Sequence, residues 1–304
     1  MATLSKLKAW ISAMRLRTLP LSLSGVIVGA GLAKSNGSFD LLVFLLIILA
    51  TLGLQILSNL ANDYGDGVKG TDNDSRIGPD RAVQLGAISP NQMFRGIVFC
   101  AFITAVCIIT LIYLACYPDH MQLALLYVFL GSAALVAAIR YTMGQNPYGY
   151  KAFGDLMVFV FFGLVSVMGS YLLFAKHIDI VALAPACVIG FLSVSVLNLN
   201  NMRDMNSDRT SNKRTVALLL GLTWSKRYHA ALGFASLLSV GLFLLRFDSI
   251  WPYIIVLVVI SPLIRHYYLT MLIVNSKDFD PQLKVVALST FALALSMAFS
   301  VIYF

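Results

Sequence analysis

The chain has 304 residues, of which only 12% are charged, and a mean hydropathy of +0.83. This composition excludes an ordinary soluble domain, in which roughly a quarter of the residues are charged. Its apolar runs are too long and too continuous for the alternating strands of an outer-membrane barrel. We therefore predict an all-α, multi-pass membrane protein, although its formal net charge of +8 would by itself suggest a nucleic-acid partner.

Nine apolar runs approach or exceed the roughly 20 residues that a membrane-spanning helix needs. They lie near residues 16–33, 41–61, 92–117, 123–141, 156–174, 180–199, 228–245, 250–271 and 283–302. The basic residues before the first run resemble a secretory signal, but we predict that this run is retained as the first helix. The connections are too short for a second folded domain, so residues 1–304 are predicted to form a single transmembrane domain.

The basic residues are distributed unequally between the two sides of these spans. If the N-terminus is cytoplasmic, only Lys34, Lys176 and Arg246 of the 22 lysines and arginines lie outside. The positive-inside rule then predicts a bacterial plasma (inner) membrane protein with a cytoplasmic N-terminus and cytoplasmic active-site loops. Because the membrane accounts for the positive charge, no nucleic-acid partner is predicted.

All 14 acidic residues are aspartates, and half of them lie in two polar segments directly after the second and sixth spans. We call residues 62–80 the first island and residues 200–208 the second island. Asn62 and Asp66 are four residues apart, and Asn200, Asp204 and Asp208 repeat that spacing. If the helices continue, each set shares one helix face. Mg²⁺ usually binds one or two carboxylates plus substrate phosphates, so facing sets would suit a magnesium-bridged diphosphate.

Other classes of chemistry fit less well. The four cysteines and four histidines show no metal-binding spacing, and we interpret the cysteines as small buried hydrophobic residues. A CDP-alcohol phosphotransferase would require D-G-x-x-A-R, whereas Asp66-Gly67 is followed by Gly70-Thr71. An ion-coupled transporter remains an alternative, but transporter sites tend to lie near the bilayer midplane, and both islands lie at one edge of the predicted spans.

The two islands resemble the N-D-x-x-D and D-x-x-x-D signatures of the UbiA-type intramembrane prenyltransferases. The resemblance extends over nearly the whole chain and is strongest to the branch that prenylates 1,4-dihydroxy-2-naphthoate. Asn212 stands where a glycine usually precedes Lys-Arg-Thr, and residues 143–146 replace a more glycine-rich turn. The segments that carry the resemblance are 15–20, 62–66, 69–72, 78–81, 84–90, 141–142, 149–150, 154–155, 201–204, 208 and 213–215.

The resemblance implies a UbiA-like bundle of about nine membrane helices with an active-site cavity facing the cytoplasm. It implies a magnesium-dependent enzyme that transfers a polyprenyl group from an allylic polyprenyl diphosphate to 1,4-dihydroxy-2-naphthoate. Carbon dioxide and diphosphate would be lost, and the product would be demethylmenaquinone, a step of menaquinone biosynthesis. The alternative within the family is another aromatic acceptor, such as 4-hydroxybenzoate, homogentisate or haem. A long isoprenoid tail also implies contact with membrane lipid.

The resemblance further implies roles for particular residues. Asp66, Asp204 and Asp208 would be catalytic as ligands of Mg²⁺, which stabilises the departing diphosphate. The implied metal ligands are Asn62, Asp66, Asp204 and Asp208. Positive charge for the phosphate oxygens would come from Lys69, Arg81, Lys213 and Arg214.

As the diphosphate departs, the prenyl group becomes a positive allylic fragment. Tyr141 is our catalytic candidate for a cation–π contact with this fragment. The alternative for Tyr141 is an interfacial belt residue. Arg17 or Arg140 could bind the carboxylate of the acceptor, although Arg17 also suits membrane anchoring. Asp155, at the start of the fifth span, could contribute to substrate binding or stabilise the helix N-terminus, with Lys151 as a possible ion-pair partner.

Overall fold

The computed structural model describes residues 6–72, 77–78 and 81–304. Nine helical segments within these residues are long and apolar enough to cross a membrane, which confirms the predicted all-α, multi-pass fold. The spans are Lys6–Ser35, Leu41–Val68, Pro90–Cys116, Met121–Arg140, Gly154–Ala175, Ile180–Arg203, Val216–Leu244, Trp251–Leu272 and Ser276–Tyr303.

Several of these spans are divided into shorter helices. The α-helices are α1 (Lys6–Met14), α2 (Leu19–Ser35), α3 (Leu41–Val68), α4 (Pro90–Cys116), α5 (Met121–Arg140), α6 (Gly154–Val158), α7 (Ser170–Ala175), α8 (Leu183–Arg203), α9 (Met205–Thr210), α10 (Val216–Leu244), α11 (Trp251–Leu272) and α12 (Phe279–Tyr303). A π-helix, Phe159–Gly169, connects α6 to α7. Helices α2, α8 and α12 pack together at the centre of the bundle, and the outer helices expose many large apolar side chains at the surface of the protein.

The first span bends between α1 and α2. Arg15 adopts a left-handed backbone conformation with a φ of 49°, which ends α1. Two amide side chains of α3 hold this bend: Asn59 donates to the carbonyl of Met14 at 3.0 Å, and Gln55 donates to Thr18 Oγ1 at 3.2 Å. A buried amide in a membrane needs such a partner, so Asn59 and Gln55 are accounted for by the bend.

Glycines allow the fifth span to lie directly against α8. A Cβ atom added at Gly163 would lie 2.7 Å from the carbonyl oxygen of Ala186 and 2.7 Å from Gly190 Cα. Real Cβ atoms do not approach backbone atoms this closely. The π-helix and α8 are therefore in contact through their main chains, as is common where small residues meet between membrane helices.

Each island begins as a continuation of the helix that precedes it. Helix α3 runs to Val68, beyond the predicted end at residue 61. Helix α8 ends at Arg203, but Asp204 N donates to Asn200 O at 3.0 Å, and Asp208 N donates to Asp204 O at 2.9 Å. These bonds keep the four-residue helical repeat through the second island and into α9, so its acidic side chains share a face.

Candidate functional site

The two islands meet in one narrow cleft at the end of α3, α8 and α9. Asp66 from the first island and Asp204 and Asp208 from the second island all line it. The other lining residues are Thr71, Asp72, Arg81, Asn200, Ser207 and Lys213. Asn62 is directed elsewhere, since its side-chain oxygen accepts a hydrogen bond from Thr142 Oγ1 at 3.2 Å. Three of the four predicted metal ligands therefore converge, and Asn200 lines the cleft where Asn62 does not.

Three polar groups lie close to the carboxylate of Asp66. Tyr150 donates its hydroxyl to Asp66 Oδ1 at 2.8 Å. On the other oxygen, Arg81 Nη2 lies 3.5 Å away, and Lys213 Nζ lies 3.7 Å away. The buried carboxylate of Asp66 is thus held by one group at Oδ1 and two at Oδ2, all from outside α3.

Lys213 connects the two islands. Its ammonium lies 3.7 Å from Asp66 Oδ2 and 3.9 Å from Asp208 Oδ1. Burial by itself would lower the pKa of Lys213, but the carboxylates of Asp66 and Asp208 raise it above its usual range. The ammonium therefore stays charged at neutral pH and brings together two carboxylates that would otherwise repel each other.

Tyr150 is a site residue that sequence reasoning missed. Its hydroxyl lies 2.6 Å from Thr71 Oγ1 as well as within reach of Asp66. Lys69 Nζ lies 4.7 Å and Lys213 Nζ lies 5.4 Å from the centroid of the Tyr150 ring, and both distances are within cation–π range. Burial raises the pKa of Tyr150, so the phenol stays neutral and can donate. The sequence signal was a tyrosine next to a glycine, which does not distinguish this role from packing.

Lys69 and Arg81 approach the cleft differently. Lys69 Nζ donates to the carbonyl of Thr142 at 2.6 Å, and burial lowers its pKa. Arg81 lies with its Nε 3.4 Å from Asp72 Oδ2. Arg81 Nη1 is buried and has no hydrogen-bond partner within the described part of the chain. Arg81 therefore brings a buried cationic donor to the wall of the cleft.

Tyr141 and Asp155 lie beside the cleft. Tyr141 makes an edge contact with Tyr148, with ring centroids 5.3 Å apart. Burial raises the pKa of Tyr141 to about 12, and the charges of Lys213, Asp66, Asp155 and Asp208 all influence it. Asp155 accepts a hydrogen bond from Tyr228 at 3.0 Å. Tyr141 is therefore a neutral aromatic side chain within electrostatic range of the acidic residues of both islands.

Three predicted substrate-binding arginines lie outside the cleft lining. Arg17, Arg140 and Arg214 are exposed. The main chain of Arg214 supports the loop of Tyr150, since Arg214 N donates to Tyr150 O at 3.3 Å. Arg140 is close enough to Lys69 for its positive charge to lower the pKa of Lys69. In the first span, Arg15 and not Arg17 lies close enough to interact with Asp66.

Two further aspartates of the first island, Asp63 and Asp72, contact residues of the loop between α3 and α4. Asp63 accepts from the backbone nitrogens of Ala82 and Val83, both at 3.1 Å, and so fixes the end of the loop against α3. Asp72 pairs with Arg81. Asp74 and Asp80 lie outside the described residues.

The donor set fits a magnesium ion that is shared with a phosphate ligand. Among the described residues, no three His, Cys or Asp side chains lie close enough to hold a metal ion by themselves. The cleft nevertheless presents four hard carboxylates, of which Asp72 pairs with Arg81, together with the buried donor Arg81 Nη1. Mg²⁺ usually binds one or two carboxylates and completes its shell with substrate phosphates and water, so Asp66, Asp204 and Asp208 could hold it with a diphosphate.

The chain is similar to known proteins over most of its length. Residues 22–288 match the UbiA prenyltransferase family. A 1,4-dihydroxy-2-naphthoate octaprenyltransferase from Escherichia coli is 42% identical over 257 residues, which cover 84% of this chain and 82% of that protein. An enzyme of the same name from Mycobacterium tuberculosis is 35% identical over 255 residues, which cover 84% of this chain and 82% of that protein.

Solved structures share the fold. The apo structure of a UbiA homologue from Aeropyrum pernix K1 matches with a TM-score of 0.69 at 15% identity, over 95% of this chain and 98% of that one. A UbiA homologue from Archaeoglobus fulgidus bound to DMAPP and Mg²⁺ matches with a TM-score of 0.65 at 16% identity, over 97% of this chain and 99% of that one.

Proposed function

From the premise that this chain belongs to the UbiA prenyltransferase family, we propose that it prenylates 1,4-dihydroxy-2-naphthoate. The donor is an allylic polyprenyl diphosphate. The bond between its allylic carbon and the diphosphate oxygen breaks, and a carbon–carbon bond forms at the ring carbon that carries the carboxylate. Diphosphate and carbon dioxide leave, and the product is demethylmenaquinol, the reduced form of demethylmenaquinone. The 42% identity to the Escherichia coli octaprenyltransferase is the observation that carries this proposal.

The chemistry of the cleft supports a diphosphate as its ligand. Asp66, Asp204 and Asp208 are the proposed catalytic metal ligands, and Mg²⁺ supplies Lewis-acid stabilisation to the departing diphosphate when it is bound. Lys213 and Arg81 contribute fixed positive charge to the phosphate oxygens that the metal leaves free. These groups are held by hydrogen bonds and ion pairs before the substrate arrives, which is the arrangement that favours a charged transition state.

Tyr141 is the proposed partner of the positive allylic fragment. Its raised pKa of about 12 keeps the phenol neutral, so its ring acts through the cation–π interaction. Of the two candidates for the acceptor carboxylate we favour Arg140, because its charge reaches Lys69 at the edge of the cleft. Asp155 stays a candidate substrate-binding residue next to Tyr141, and Arg214 is assigned to support of the loop that carries Tyr150.

The proposed cellular arrangement is a single transmembrane domain in a bacterial plasma membrane, with the N-terminus and the cleft on the cytoplasmic side. Its support is the excess of lysine and arginine in the loops that we assign to the cytoplasm. Phosphorylated donors and magnesium are available on that side.

The proposal is tested with membranes that contain the expressed chain. They are incubated with 1,4-dihydroxy-2-naphthoate, an allylic polyprenyl diphosphate and Mg²⁺, and prenylated naphthoquinone is measured by mass spectrometry. We expect a product that requires both Mg²⁺ and the naphthoate. Parallel reactions with 4-hydroxybenzoate and homogentisate identify a different acceptor. Product from either of these, with none from the naphthoate, would overturn the acceptor assignment, and no prenylated product at all would overturn the enzyme assignment.

A further inference from the structure

Arg203, the last residue of α8, is buried directly behind the cleft. Only 2% of its side chain is exposed, yet it carries a full positive charge. Its Nε and Nη2 donate to the two oxygens of Asp204, both at 2.8 Å, so the pair is bidentate. Nη2 also donates to Asn200 Oδ1 at 2.6 Å, and Nη1 donates to Asp280 of α12. All three guanidinium nitrogens are therefore engaged by oxygens of the protein.

This geometry separates Arg203 from the cations that we assign to phosphate. Arg81 and Lys213 line the cleft, and Arg81 Nη1 is buried without a hydrogen-bond partner in the described part of the chain. Arg203 does not line the cleft. A planar guanidinium that donates to both oxygens of a carboxylate fixes the rotation of the carboxylate as well as its position. The effect of Arg203 on the cleft is therefore exerted through Asp204.

We propose that Arg203 is a positioning residue that presents the carboxylate of Asp204 to the metal–diphosphate complex, and that Asp280 holds Arg203 in place. This inference rests on the proposed function. It extends the site to the ninth span, because Asp280 lies in the first turn of α12 while Asp204 lies between α8 and α9. Residues that orient metal ligands are typically worth about 10- to 100-fold in metal affinity or activity.

The two ion pairs of Arg203 differ in strength. The pair with Asp204 is buried, since the side chain of Asp204 is 11% exposed, and removing one partner of a buried ion pair leaves an uncompensated charge. Asp280 is 40% exposed, and water screens its interaction. Loss of Asp280 should therefore weaken the orientation of Arg203 without removing it.

The test compares purified full-length wild-type protein with Arg203→Gln, Arg203→Lys and Asp280→Asn. The first readout is binding of Mn²⁺, as a stand-in for Mg²⁺, in the presence of inorganic diphosphate, measured by electron paramagnetic resonance. The second is turnover and the KM for the acceptor at saturating metal. Arg209→Gln is the matched control, because Arg209 is an exposed arginine on α9.

For Arg203→Gln we expect Mn²⁺ affinity to fall by about 10- to 100-fold, with the acceptor KM unchanged. Arg203→Lys should show a smaller loss of Mn²⁺ affinity, because lysine keeps the positive charge but cannot make the bidentate pair with Asp204. Asp280→Asn should lower Mn²⁺ affinity by only a few-fold. Arg209→Gln should match the wild type. If Arg203→Gln fails to accumulate in membranes, Arg203→Lys and Asp280→Asn provide the same comparison.

Wild-type Mn²⁺ affinity in the Arg203 variants would overturn the proposal. The proposal would also be overturned if the wild-type protein bound no Mn²⁺ in the presence of diphosphate. The same holds if Arg203→Gln raised the acceptor KM by as large a factor as it weakened Mn²⁺ binding. The metal readout requires no acceptor. A wild-type protein that binds Mn²⁺ and diphosphate in an Arg203-dependent way but does not prenylate the naphthoate would contradict the proposed acceptor and leave the positioning role intact.

Discussion

At the scale of single residues, the cleft depends on carboxylates whose surroundings orient them. We expect Asp66→Asn and Asp204→Asn each to lower prenylation by about 100-fold or more, because each removes a charged group that meets the metal and diphosphate. The amide is similar in size, so the protein should still accumulate in membranes. Turnover in isolated membranes is the measurement, and Asp119→Asn, in an exposed loop, is the control. Wild-type turnover in either variant would refute the assigned metal site.

Tyr150 allows a second prediction at this scale. Tyr150→Phe removes the hydroxyl that donates to Asp66 at 2.8 Å but keeps the ring between Lys69 and Lys213. A hydrogen bond to a charged group contributes about 1.5–3 kcal/mol, so we expect turnover to fall by about 10-fold or more. Tyr253→Phe is the matched control, because it loses a hydroxyl that donates to the carbonyl of Leu244, the last residue of α10, at 2.9 Å. Equal activity in both variants would contradict a role for Tyr150 in orienting Asp66.

The sequence predicted much of this chemistry but not its partners. The repeated spacing of Asn200, Asp204 and Asp208 was visible because a helix face repeats every three to four residues. The same rule grouped Asn62 with Asp66, but a one-dimensional pattern could not show that Thr142, from another loop, takes the Asn62 oxygen. Tyr150 reaches Asp66 only through tertiary structure, so no local spacing marked it.

At the scale of helices, apolar runs predicted which segments span the membrane and not where each helix bends. The end of α3 was placed too early because the polar residues of the first island interrupt the apolar pattern while remaining helical. The bend at Arg15 and the positive φ of 72° at Gly221 inside α10 lie in segments whose composition is compatible with a straight helix. The π-helix between α6 and α7 is equally invisible to hydropathy, because its residues are as apolar as those of an α-helix.

The contact between the fifth span and α8 provides a prediction at this scale. Gly163→Ala should destabilise the protein by about 1–3 kcal/mol, the usual cost of overpacking, because the new methyl group would meet backbone atoms at 2.7 Å. Thermal unfolding of the detergent-purified protein measures it. Gly241→Ala in α10 is the matched control, since a Cβ there has nothing within 4 Å. A Gly163→Ala variant as stable as Gly241→Ala would show that the two helices separate easily.

At the scale of the whole molecule, the orientation in the membrane can be measured directly. In a variant whose four cysteines are replaced, we expect Asp119→Cys to react with a membrane-impermeant maleimide added to intact cells. Asn275→Cys should react only after the cells are opened, because the loop before α12 is predicted to be cytoplasmic. Both positions are exposed, so accessibility of the side chain does not differ between them. The reverse labelling pattern would place the cleft on the outer side.

The position of Lys213 between Asp66 and Asp208 has a consequence for the order of binding. Among the described cleft residues, the carboxylates of Asp66, Asp72, Asp204 and Asp208 face the cations Arg81 and Lys213, with Arg203 behind them. Their charges nearly cancel before any ligand arrives. A lone divalent cation would meet an ammonium already in place, and a lone diphosphate would meet acidic walls. Metal and diphosphate admitted together change the net charge of the cleft less than either does alone, so each should bind weakly alone and raise the affinity of the other.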